Sequence, residues 1–159
     1  MKLTTVLFPA LLLSACSQHT DNTNHLQAQV DSLRSQLKNS YTPGVGELMS
    51  NIQLHHAKLW FAGDNQNWPL AKYEESLILS AFKKIQQYHG DKPEAKIAAM
   101  INPAMDSVDQ AIEHKSQASF RHSFLFLNSS CNSCHQATKR PFNVIVTPTM
   151  PPISNQLYK

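Results

Sequence analysis

The chain has 159 residues, with 14 Lys and Arg against 11 Asp and Glu and a formal charge of +3. That charge is too small to argue for nucleic acid or for a strongly acidic partner. The length suits one compact domain with an appendage, and only four glycines with few β-branched runs favour helix over sheet.

Met1 to Ala15 reads as an export leader: Lys2 precedes a short apolar run that ends in small residues. The run is too short for a transmembrane span. Leu13-Ser14-Ala15-Cys16 also resembles the bacterial lipobox. That resemblance implies cleavage before Cys16, a diacylglycerol on its sulfur and a lipid-anchored, periplasmic protein. Ser17 in place of Asp favours the outer membrane under the usual enterobacterial sorting rule. An ordinary secretory leader with a fortuitous cysteine is the competing reading. Loss of the leader removes Lys2 and leaves +2.

Residues 17–24 are polar and read as a tether in which His19 has no assigned role. Over 25–39, Leu26, Val30, Leu33 and Leu37 recur at four, three and four, a heptad-like seam on a short helix. His25, at its start, also has no assigned role. The seam spans barely two heptads, fewer than a coiled coil asks for. It suits a helix lying on the main domain or a spacer, and the oligomeric state stays open. Tyr41-Thr42-Pro43-Gly44 ends the segment.

Four longer helical patterns follow. The first covers 46–62 and puts Met49, Ile52, His56 and Leu59 or Trp60 on one face. The second opens at Trp68-Pro69, carries Leu70, Tyr73, Leu77, Phe82, Ile85 and Tyr88, and stops at His89-Gly90. The third, 93–116, is expected to kink or break at Asn102-Pro103, where the ladder lacks an N–H. The fourth, 119–138, aligns Phe120, Phe124, Leu127, Cys131 and His135. Phe142 to Lys159, with a β-rich Val144-Ile145-Val146, is expected to lie extended across the helices. The organisation is thus a leader over 1–15, a tether and short helix over 16–43, an all-α four-helix bundle over 44–140 and an extended tail over 141–159.

The fourth helix ends in Cys131-Asn132-Ser133-Cys134-His135, the attachment signature of a c-type haem. Two thiols add to the haem vinyls, and the adjacent imidazole falls under the iron as proximal ligand. A redox C-x-x-C would need a thioredoxin-like βαβ setting, and a zinc site would need four ligands. The export leader favours haem, because c-type haem is attached outside the cytoplasm. All three cysteines then have work: one for lipid, two for one covalent haem.

A haem attached near the end of the last of four helices resembles the cytochrome c′ class of bundles. A closer resemblance lies in Ile52-Gln53-Leu54-His55-His56-Ala57-Lys58-Leu59-Trp60-Phe61-Ala62-Gly63 and in Asn67-Trp68-Pro69-Leu70-Ala71-Lys72-Tyr73-Glu74. With the C-x-x-C-H and Pro151-Pro152-Ile153-Ser154-Asn155-Gln156, these resemble a group of small exported monohaem proteins of Gram-negative bacteria, over residues 44–157. The resemblance implies haem binding and export, and no particular activity.

The sixth iron position decides the mechanism. His56 and Met49 share a helical face, so either is a candidate distal ligand. His55 points roughly 100° away from His56. His89, His114 and His122 read as surface residues. Lys139 and Arg140 would pair haem propionates or cap the helix. A six-coordinate haem implies periplasmic electron transfer with a protein partner. A five-coordinate one implies capture or sensing of nitric oxide or carbon monoxide. No nucleophile elbow, phosphate loop or second metal motif suggests an enzyme.

Overall fold

The computed structural model describes residues 17–38 and 40–159, and the side chains of 22–37 and 40–159. The leader and the candidate lipidation residue Cys16 lie outside the described residues. Those described are all helical or irregular, with no strand among them. They fall into two units, parted between Thr42 and Pro43.

The first unit contains α1, Ser17–Lys38. The polar residues read as a tether are helical, so the helix begins well before the apolar seam. Nothing in 17–24 breaks a helix, since Gly and Pro are absent there.

The second unit holds α2 (Val45–Asp64), α3 (Trp68–Tyr88), α4 (Pro93–Ile97), a 3₁₀ turn (Ala98–Ile101), α5 (Asn102–Glu113) and α6 (Gln117–Ala137). α2 packs on α3 and α6, and α5 packs on α6 and α3. α2 buries Leu48, Ile52, His56, Leu59, Ala62 and Gly63. Asn67 caps α3 by accepting from the Leu70 amide at 3.2 Å, with Pro69 in the first turn. Ser116 caps α6 in the same way through Ser119 at 3.3 Å.

Two expectations are corrected. The third helix breaks as expected, but ahead of Pro103 rather than at it: it stops at Ile97, tightens into the 3₁₀ turn and restarts at Asn102, so Pro103 takes a first-turn position where its missing N–H costs nothing. The buried face of α3 is Ala71, Glu74, Glu75, Ile78, Ala81, Phe82 and Ile85, while Tyr73 and Tyr88 are exposed. Glu74 turns inward because Lys58 Nζ lies 2.9 Å and His55 Nδ1 2.6 Å from its carboxylate.

The tail is extended and packs on the helices as expected. Asn132 Nδ2 donates to the Ile145 carbonyl at 2.9 Å, and the Ile145 amide donates back to Asn132 Oδ1 at 2.7 Å. Tyr158 is buried, with its ring 5.7 Å from that of Phe61.

α2 and α6 run antiparallel in close contact. Asp64 Oδ1 meets Arg121 Nε at 2.5 Å at one end, and His56 meets Asn128 at 2.7 Å further along. A methyl group on Gly63 would collide with the ring of Phe120, which Trp60, Trp68 and Phe124 hold in place. Gly63→Ala should therefore lower stability by about 1–2 kcal/mol, overpacking outweighing the ~1 kcal/mol of helix propensity regained. Urea denaturation measures this, and adding Phe120→Leu should recover part of the loss. A Gly63→Ala protein as stable as wild type would refute the close approach.

Candidate functional site

The antiparallel register brings the start of α2 against the end of α6. Between them opens a cleft of about 240 Å³. Met49 and His56 of α2 line it, facing Cys131, Cys134 and His135 of α6, with Arg140 just beyond. Phe82 of α3, with Ile97, Ala98 and Ile101 of α4 and the 3₁₀ turn, supplies apolar wall, and Ile145 of the tail closes one side. The five candidate ligands of the sequence thus meet in one cavity, although Met49 and His135 are far apart in the chain.

Burial pushes the Cys131 thiol up to about 12, with neighbouring Cys134 adding to the rise, and burial also raises Cys134. Both lie in the last turns of α6, at the carbonyl end of the helix dipole, which disfavours a thiolate. Reactive redox pairs have depressed thiols, at a helix N-terminus or beside a cation. This pair has the opposite setting.

His135 Nδ1 lies 2.6 Å from the carbonyl oxygen of Asn143. A carbonyl only accepts, so Nδ1 carries the hydrogen and neutral His135 keeps its lone pair on Nε2. A metal-binding imidazole is commonly oriented by such a bond. Asn143 occupies this place because the turn after α6 folds back: Lys139 takes a positive φ of 62°, and the Arg140 amide bonds to the His135 carbonyl at 2.7 Å. Lys139 is thus the turn residue and is exposed. The Arg140 guanidinium instead pairs with the buried carboxylate of Glu94 at the cleft wall.

His56 is 5 % exposed, and its ring sits 4.4 Å from Phe124. Its Nε2 is 2.7 Å from Asn128 Oδ1, and Asn128 Nδ2 donates to Thr147 Oγ1 at 3.0 Å. Asn128 therefore presents its oxygen to His56, whose Nε2 is the donor. Burial lowers His56 to about 4, against a smaller upward effect of the Asn128 bond. Met49 is part-buried against the core. His55 faces away from the cleft, toward Glu74 of α3. His114 and His122 are exposed as expected, but His89 is half-buried and its Nε2 bonds the Pro43 carbonyl at 2.8 Å, anchoring the start of the unit.

Sequence reasoning missed Asn128, Glu94 and Asn143. Asn128 was findable, since it precedes Cys131 by three residues and so shares its face. Glu94 and Asn143 reach the cleft through a short helix and a turn that carry no periodic signal.

The donor set fits a haem held by two thioethers. Two neutral thiols, an imidazole with Nε2 free, an apolar wall and a guanidinium share one cleft. The cleft is smaller than the roughly 300–1,000 Å³ of ordinary ligand pockets. Among the described residues no three His, Cys, Asp or Glu side chains gather to hold a bare ion, and no helix is long and apolar enough to cross a membrane. The chain matches no protein-family model, no curated relative and no solved structure.

Burial of neutral His56 has a pH consequence. Its folded pKa lies below the ordinary 6.5, so the unfolded chain takes up the proton first as pH falls. Stability should be full above pH 6.5, fall by about 3 kcal/mol as pH drops toward 4, and level off below. Urea titrations across this range should show that fall in wild type and much less of it in His56→Gln. Equal slopes in the two proteins would place the proton uptake elsewhere.

Proposed function

We propose that the chain is a c-type monohaem cytochrome of the periplasm, lipid-anchored through Cys16, that transfers electrons with a partner protein. The observation that carries this reading is the convergence of Cys131, Cys134 and His135 with Met49 and His56 on one cleft. The mutual packing of α2, α3, α5 and α6 supports a four-helix bundle of the cytochrome c′ class, and the motifs of residues 44–157 support kinship with the small exported monohaem proteins.

A bound haem would supply a reversible one-electron iron couple. Cys131 and Cys134 would hold it, each sulfur adding to a vinyl carbon and each thiol hydrogen going to the neighbouring carbon, so attachment consumes no oxidant. His135 would give Nε2 to the iron, kept in aim by the Asn143 carbonyl. Arg140 would offer its guanidinium to a propionate while Glu94 holds it at the wall.

For the sixth position we favour Met49 over His56. The Nε2–H of His56 is held by Asn128, which Thr147 orients in turn, so its ring is fixed in place and only Nδ1 keeps a lone pair. The thioether of Met49 lines the cleft under no such restraint. A buried thioether ligand keeps water from the iron and suits electron transfer. The apolar wall of Phe82, Ile97 and Ile101 supports the second reading, a five-coordinate iron that captures nitric oxide or carbon monoxide.

Two experiments test this. Protein made with the haem-attachment machinery should retain haem through acid–acetone extraction, and Cys131→Ala with Cys134→Ala should abolish that retention. Haem that stays covalently bound in the double variant would sink the assignment.

The ferrous wild-type protein is expected to be low-spin and slow to bind carbon monoxide. Met49→Ala should convert it to a high-spin form that binds carbon monoxide, whereas His56→Ala should leave the spin state largely as it is. If His56→Ala alone makes the conversion, His56 is the ligand. A wild-type protein already high-spin and reactive with carbon monoxide would decide for the gas-binding reading.

A further inference from the structure

We propose that α1 pairs with α1 of a second copy of this chain as a parallel two-stranded coiled coil. The helix runs from Ser17 to Lys38, longer than its apolar seam, and every described side chain from 22 to 37 is exposed. Leu26 is 52 %, Val30 39 %, Leu33 63 % and Leu37 74 % exposed, an unusual state for four apolar residues on one stripe. A lone helix of this length is marginal in water even when rich in alanine. α1 is instead rich in Ser, Thr, Asn and Gln, with two histidines, so it needs a partner along that stripe.

The register names the partner. Leu26 and Leu33 fall at d, and Thr23, Val30 and Leu37 at a. Two of the three a residues, Thr23 and Val30, are β-branched, and β-branched residues at a with leucine at d favour two parallel strands. The added N-terminal turns carry the repeat to about three heptads, with His19 at the first d. Across a parallel pair, the flanking g and e positions set Asn22 against Gln27 and Gln29 against Arg34, so no like charges meet. A membrane surface is a poorer occupant. α1 has two cations, Arg34 and Lys38, balanced by Asp21 and Asp31, and no aromatic residue, whereas interfacial helices carry a basic face and aromatic anchors.

The parallel orientation rests on the lipid-anchor reading. Cys16 directly precedes α1, so two anchored copies start their helices at the same surface and point them the same way. The anchor also confines both copies to two dimensions, which raises their effective concentration and lets a short coil suffice.

Thiol cross-linking of the full-length protein in its own membranes tests the proposal. Leu37→Cys places a thiol at an a position, where two parallel in-register copies face each other. In an antiparallel pair Leu37 would face Leu26 instead. With a mild oxidant, Leu37→Cys should give a band at twice the mass of the chain. Ala28→Cys, at the outward f position, should link on the order of tenfold less, because its thiols stand beyond disulfide reach. Adding Val30→Lys should remove the Leu37→Cys dimer, since a buried lysine at a disfavours pairing. The unsubstituted chain gives the background from Cys131 and Cys134.

No dimer above that background, a dimer that Val30→Lys leaves intact, or equal linking at Ala28→Cys would each overturn the proposal. So would a product of some other mass, which would mean a different partner. Sedimentation of the same membranes reads the anchor separately. Protein found in the soluble fraction refutes lipidation, whereas anchored protein that does not link refutes the coil alone.

Discussion

The contact of Gly63 with the ring of Phe120 sets the spacing and direction of α2 against α6, and the cleft is a consequence of that contact. With no side chain at Gly63, the ring can press on the backbone of α2, and Trp60, Trp68 and Phe124 surround it. Asp64 and Arg121 fix the same end electrostatically, with Gln117 Nε2 donating to the Asp64 carbonyl at 2.5 Å. Fixed there, the two helices run past each other, so the first turns of α2 meet the last turns of α6. The cleft lies at that far end, with Glu94 and Ile97 of the short α4 in its wall.

Polar groups buried along this frame make it specific. Glu74 is fully buried, and its carboxylate draws His55 and Lys58 of α2 onto α3. An unpaired charge there would cost several kcal/mol, so the pairing admits one rotation of α3 against α2 (the one that leaves Tyr73 and Tyr88 outside). The chain His56–Asn128–Thr147 does the same for α2, α6 and the tail. Neutral His56 fits this role, since burial disfavours its charged form.

The tail belongs to the site as much as the helices do. It returns across α6 because Asn132 satisfies both the N–H and the C=O of Ile145, as a neighbouring strand would. That return brings the Asn143 carbonyl to His135 Nδ1 and so selects the tautomer whose Nε2 is free. The outward residues Val144 and Val146 alternate with Ile145, the period-two pattern of an extended segment. For the proposed cytochrome, the helix would give the covalent bonds and the tail would aim the ligand.

The sequence by itself determined the helical class, the ends of most helices and the proximal candidates. These depend on local signals: Pro and Gly punctuation, a 3.6-residue period, and a five-residue motif whose chemistry is contained in its spacing. It also placed His56 and Met49 on one face, since helix geometry alone requires that. That His56 is held by Asn128, which way α3 turns, and that Glu94 and Asn143 line the cleft were decided only by tertiary structure. Each depends on a partner distant in the chain: Asn128 for His56, Lys58 and His55 for Glu74, the folded-back turn for His135. A periodic pattern tells which face of a helix is apolar, but a buried polar side chain is stable only beside its partner, and that partner is set by packing.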